Sequence, residues 1–308
     1  MSKGQAVRFI LWIQILLIFA ESANGQQFAF PPSQTYQPDR LKKVVIIESA
    51  AGVLVSVGLY YLWYKKFPKS RFHFFNDNDE WLQMDKVGHA TTAYNIAVIQ
   101  NDLMRWSGVS KGTSISIGGL TALGYMSIIE IMDGFSKHWG FSPGDMAANI
   151  FGAAFFAAQQ KWWGEQRVAL KFSFHNSPFA KYNPGELGSK WSSRILKDYN
   201  GQTYWLSFNI KSFLSSKSNF PQWANIAFGY SAEGMTGASS NPTMVNGKTI
   251  PYFKRYRQFY LAPDADLFRI NSSAIYNDAS YLLKFSKIPL PALEYSTNKQ
   301  IKFHALYY

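Results

Sequence analysis

The 308-residue chain has no cysteine. This excludes disulfides, thiolate-bound zinc and thiol catalysis, and it removes the residue through which a bacterial lipoprotein is acylated. Acidic residues are also scarce, with 19 Asp and Glu against 31 Lys and Arg, for a formal net charge of +12. No HExxH run occurs, no Gly-rich phosphate loop stands at a strand–helix junction, and no Ser sits in a nucleophile context. An exported chain without cysteine fits a bacterial envelope better than a eukaryotic secretory route.

The N-terminus reads as an export signal over residues 1–25. Lys3 and Arg8 give a basic start, Phe9 to Ala20 is apolar, and Ala23-Asn24-Gly25 offers a small-residue cleavage site. Residues 26–40, with FPPSQTYQP, read as an extended leader. Val44 to Trp63 is an apolar run long enough to cross about 30 Å of hydrocarbon. Lys42, Lys43, Lys65, Lys66 and Lys69 flank it, and Tyr60, Tyr61 and Trp63 resemble an interfacial belt. Glu48 inside this run needs a polar partner or a protein bundle around it.

Further helices are predicted from about Glu80 to Met104, Thr113 to Met132 and Gly144 to Trp163. Asp77 to Glu80 supply cap residues, Gly108 to Gly112 break the pattern, and Pro143 marks a helix start. Residues 41–165 therefore form a bundle of about four helices, partly of membrane type. From residue 166 to 308 the periodicity changes to two: Leu170–Phe174, Tyr204–Ile210, Ile226–Tyr230, Tyr252–Leu261, Tyr281–Phe285 and Ile301–Tyr307 alternate. The expected fold is α+β, an N-terminal helical bundle followed by an antiparallel β region. About six strands fall short of the eight in the smallest membrane barrel.

The charge is uneven. Residues 161–308 hold 18 Lys and Arg against 8 Asp and Glu, whereas residues 26–160 hold 11 against 10. A basic, aromatic second half suits a membrane or anionic lipid surface, with Lys254, Arg255 and Arg257 as candidate contacts. A solvated strand face explains the same residues. Export makes nucleic acid an unsuitable partner. Asp264 and Asp266 read as a turn, and His138 beside Trp139 as a loop contact.

Ionisable residues recur at helical spacing between Asp85 and Asn149. Asp85 and His89 are i and i+4, with Lys86 adjacent and Tyr94 further along; Glu130 and Asp133 are i and i+3; Asp145 and Asn149 are i and i+4. Burying such groups unpaired is costly, so they should converge. One reading is a divalent metal held by His89, Asp85, Glu130 and Asp133, with Asp145 in support. A second is an acid–base pair in which Asp85 orients His89 and water is the nucleophile. The preferred reading is a buried polar network that fixes which helix faces meet, with no cofactor.

At these positions the chain resembles the YfiM-like family of predicted bacterial envelope proteins of unknown function. Asp85-Lys86 with His89, Glu130…Asp133-Gly134, and Gly140…Asp145…Asn149…Gly152 carry the resemblance over about residues 80–160. YRQFYLAPDADLFRI and KIPLPALEY are similar to longer members from Bacteroidetes-type bacteria. The resemblance implies export and a periplasmic or outer-membrane setting, and no activity. Some relatives are lipoproteins, a departure given the absence of cysteine. The expectation is a non-enzymatic scaffold or accessory subunit in an envelope complex at the outer membrane. The alternative is a metal-dependent envelope hydrolase.

Overall fold

The computed structural model describes residues 30–62, 68–266, 269 and 281–307. The expected export signal lies outside them. Four long helices open the fold: α1 (Pro38–Leu62), α2 (Met84–Trp106), α3 (Lys111–Gly134) and α4 (Pro143–Trp162). α1 begins inside the segment expected to be an extended leader. Ser110 caps α3 by accepting the Thr113 N–H at 3.3 Å, and Ser142 caps α4 by accepting the Asp145 N–H at 3.1 Å. Pro143 takes the first helical position, where its missing N–H costs nothing.

α2 is the core helix, buried along most of its length between α3 and α4. Two glycines permit this. A Cβ on Gly152 of α4 would lie 2.1 Å from the Ala90 carbonyl oxygen, and one on Gly118 of α3 would lie 2.7 Å from that of Ala97. Glu48 of α1 meets Gln100 of α2, and burial raises its pKa to about 7. The outer side of α1 leaves Val45, Ile46, Val53, Leu54 and Val57 exposed. By length and composition α3 is apolar enough to cross a membrane.

The second half builds a six-stranded antiparallel sheet in the order β1 (Val168–Phe174), β2 (Gln202–Asn209), β3 (Ala224–Glu233), β6 (Tyr256–Ala265), β7 (Leu290–Ser296) and β8 (Gln300–Tyr307). A small hairpin, β4 (Met244–Val245) with β5 (Lys248–Thr249), lies apart from it. Several expectations need correction. The described residues contain six α-helices, not about four: α5 (Pro184–Leu187) and α6 (Trp191–Lys197) interrupt the β region. Tyr281–Phe285 is not a strand, since Leu282–Phe285 forms a 3₁₀ turn. Strand β7 was not anticipated. Asp264, expected in a turn, sits within β6.

The sheet's polarity is inverted relative to an ordinary soluble sheet. Its exposed face carries Leu206, Phe228, Leu261, Leu293 and Phe303, which are successive register partners across β2, β3, β6, β7 and β8. Its buried face carries Ser207, Asn225, Gln258, Asp264, Glu294 and Ser296. These buried groups are paired. Lys171 Nζ donates to Asp264 Oδ2 at 2.7 Å, Ser207 Oγ donates to the same oxygen at 2.6 Å, and His304 Nε2 lies 2.7 Å from Glu294 Oε2. Trp205, Tyr260 and Tyr307 fill the remaining space, with the two tyrosine rings 4.4 Å apart.

Candidate polar site at the helix–sheet junction

α2 is entered through an unusual turn. In the 3₁₀ segment Glu80–Gln83, Trp81, Leu82 and Gln83 have φ values of +50°, +50° and +62°. Side chains with a Cβ lose about 1–2 kcal/mol per residue in this left-handed region. Contacts from the C-terminal half hold the turn. The Trp81 N–H donates to Ala238 O at 2.9 Å, the Tyr230 hydroxyl to Leu82 O, and Arg257 Nη2 to Gln83 Oε1 at 2.5 Å. Trp81 itself packs at 5.2 Å against the ring of Tyr199.

The next turn of helix carries the site. Asp85 and His89 share a face of α2, as their spacing requires, and α4 brings Asp145 and Asn149 to the same point. His89 is fully buried. Its Nδ1 lies 3.0 Å from Asn149 Oδ1, an atom that only accepts, so Nδ1 is the donor in this pair. Nε2 has no hydrogen-bond partner and faces Asp85 Oδ1 at 4.0 Å and Asp145 Oδ1 at 3.9 Å. One ligand atom from each of these three residues lies within 4.8 Å of the other two.

Lys86 sits at the edge of this group. Its ammonium is 2.6 Å from Asp145 Oδ1, 2.7 Å from Asp77 Oδ1 and 3.6 Å from Asp85 Oδ2. Asp77 Oδ1 also accepts from Ser142 Oγ at 2.5 Å, and the Tyr199 hydroxyl donates to Asp85 Oδ1. Burial pushes the Lys86 pKa down, but Asp85, Asp145 and Asp77 outweigh it and the net shift is upward. For His89 burial also pushes down, and Asp145, Asp85 and Glu130 win, raising it. Asp85 is raised by burial and lowered by Lys86, His89 and Tyr199, with a net shift down. Asp145 goes up, because burial exceeds the pull of His89 and Lys86. The two carboxylates therefore differ: Asp85 holds its charge and Asp145 takes a proton more readily.

The structure gathers some expected residues and separates others. Asp85, Lys86, His89, Asp145 and Asn149 converge. Glu130 approaches from the other side of the imidazole, with Oε1 3.9 Å from Nδ1, and its Oε2 accepts the Ser142 N–H at 3.0 Å. Asp133 is buried one turn further along α3, outside the trio able to share an ion. Of the expected set Asp85, His89, Glu130 and Asp133, the first two have ligand atoms within 4.8 Å of one another and of Asp145, which was expected only in support. Tyr94 lies elsewhere, with its hydroxyl donating to Val168 O at 3.3 Å. Asp77, Ser142 and Tyr199 were missed as members. Asp77 was read as a cap residue, and nothing in the local sequence points from Tyr199 to a residue 114 positions away.

The basic cluster does not form one outward patch. Lys254 is exposed, but Arg255 is half-buried and donates through Nη2 to Ala238 O at 2.6 Å, and Arg257 is held by Gln83. His138 makes the expected loop contact, with its ring 4.9 Å from that of Trp139.

No curated protein and no solved structure matches the chain. Residues 73–161 match the model of a family described as predicted periplasmic lipoprotein (DUF2279). The matched segment carries Asp77, Asp85, His89, Glu130, Asp145 and Asn149, and its similarity supports an exported, periplasmic protein of the cell envelope.

Proposed function

We propose that this chain is a non-enzymatic scaffold or accessory subunit of the cell envelope, associated with the outer membrane through the apolar face of its sheet. In this reading, which goes beyond the family description matched by residues 73–161, it is a long YfiM-like member. The inverted sheet carries this reading: apolar side chains from five strands point outward, and the charged and hydroxyl groups are sequestered behind them. Water disfavours that arrangement, because an exposed apolar patch of this extent invites a partner. Hydrocarbon favours it, and outward-apolar, inward-polar alternation is what strands facing lipid require. With no cysteine in this sequence to acylate, the sheet face offers a surface for attachment. The excess of basic residues in the same half favours anionic headgroups.

Replacing Phe228 and Leu261 together by glutamate leaves the buried face untouched. We expect this variant to fold, by far-UV circular dichroism, and to lose at least tenfold in partitioning to anionic vesicles in a flotation assay. Each carboxylate placed against lipid acts against insertion, at a cost below the ~2–4 kcal/mol of Arg or Lys at the bilayer midplane. Unchanged flotation of a folded variant would exclude the sheet face as the anchor. Mild-detergent co-purification tests the accessory role, and a monodisperse monomer without partner or lipid counts against it.

The convergence of Asp85, His89 and Asp145 favours the hydrolase reading. Their side chains are only 5%, 0% and 0% exposed, however. A catalytic ion keeps a coordination position open to substrate, and burial of this order closes it. The cluster fits a lock between the two halves of the fold better than a reaction centre.

A further inference from the structure

We infer that Asp85, His89 and Asp145 form a structural site for one divalent transition-metal cation, which ties α2 to α4 beneath the sheet. The inference is independent of membrane attachment. It rests first on the His89 ring. Asn149 Oδ1 lies 3.0 Å from Nδ1, the outer-shell arrangement that orients the opposite nitrogen toward a metal. That nitrogen, Nε2, is buried, has no hydrogen-bond partner, and points between two carboxylates. Two carboxylates facing one buried ring nitrogen call for positive charge between them, which a metal ion supplies in competition with a proton.

Geometry supplies the second argument. Nε2 is 4.0 Å and 3.9 Å from the two carboxylate oxygens. Metal–ligand bonds of about 2.0–2.2 Å place tetrahedral ligand atoms roughly 3.4 Å apart. The trio therefore closes around an ion by side-chain shifts of about half an ångström to one ångström. Lys86 need not leave. An oxygen with two lone pairs accepts from the ammonium and binds a metal together, and Lys86 keeps Asp77 as its second partner at 2.7 Å. Tyr199, donating to Asp85, completes the outer shell and links the ion to the C-terminal half.

Ligand chemistry narrows the ion. One imidazole with two carboxylates suits zinc, manganese or ferrous iron, and lacks the set of oxygen ligands that calcium takes. Burial of all three side chains makes the site closed, so its expected effect is on stability.

The test uses untagged full-length protein, stripped with a chelator and dialysed against Mn²⁺ or Zn²⁺ alone. Elemental analysis should find one equivalent per chain. At a hundredfold excess over Kd, Tm should rise by about 5 °C. In His89→Gln the equivalent should disappear together with the Tm shift. Asn149→Ala removes no ligand and should weaken binding about 10- to 100-fold, which keeps the idea testable where His89→Gln fails to fold. Less than a tenth of an equivalent in the wild type overturns the inference, as does full stoichiometry retained in folded His89→Gln. The latter would mark surface binding by other residues.

Discussion

Lys171→Met should lower the free energy of unfolding by about 3 kcal/mol, at the lower end of the range for breaking a buried ion pair. Lys171 lies on β1 and is 2% exposed, and its ammonium meets Asp264 Oδ2 at 2.7 Å and Ala265 O at 3.0 Å. Removing it strands a buried carboxylate with Ser207 and a second lysine, Lys287, 3.6 Å away. Lys287 is a useful contrast. Burial pushes its pKa down, Asp264 only partly restores it, and its shortest contact is with the Ile288 carbonyl. Lys287→Met should accordingly change stability by less than about 1 kcal/mol. Urea unfolding of both variants checks the pair. Equal losses would mean that net charge behind the sheet, rather than one well-made contact, stabilises it.

Gly152→Ala is expected to cost about 2–3 kcal/mol, near the upper end for overpacking. The added methyl would meet backbone on α2, 2.1 Å from Ala90 O and 3.0 Å from Tyr94 N, and neither atom belongs to a flexible side chain. Relief requires α4 to move away from α2. Because Asp145 and Asn149 ride on α4 and His89 on α2, the same shift opens the polar cluster. Gly119 of α3 provides the control, since a Cβ there meets nothing within 4 Å. Gly119→Ala should be neutral or stabilising by about 0.5–1 kcal/mol, the gain from removing glycine from a helix interior. Thermal unfolding separates the two, and equal effects would exclude close backbone contact as the reason for Gly152.

The helices were legible because their signals are local. Pro143 and the glycines after Trp106 mark ends, and apolar runs mark lengths. The i, i+4 pairs Asp85–His89 and Asn149–Asp145 did share faces. What joined them was not local: Asp77 reaches Ser142 over 65 positions and Tyr199 reaches Asp85 over 114. Strand β7 escaped notice because Pro289 and Pro291 frame its start, and prolines argue against strands. Tyr281–Phe285 was misread because its apolar residues mimic alternation while its backbone turns. The inverted sheet shows a deeper limit. A period of two says which residues share a face. It does not say which face turns inward, and the usual assumption that apolar residues are buried gives the wrong answer for Leu206, Phe228 and Leu261.

The left-handed turn before α2 has a consequence for the order of folding. Trp81, Leu82 and Gln83 adopt a costly backbone that residues near 230, 238 and 257 hold in place. Those clamps close loops of 148 and 174 residues at Leu82 and Gln83. Contacts of such separation form late and slowly. The helices can assemble early, but the first turn of α2, with Asp85 on it, cannot settle until β3 and β6 are in place. Severing the chain near residue 165 would thus leave helices that are intact in content and unfinished at their most polar point.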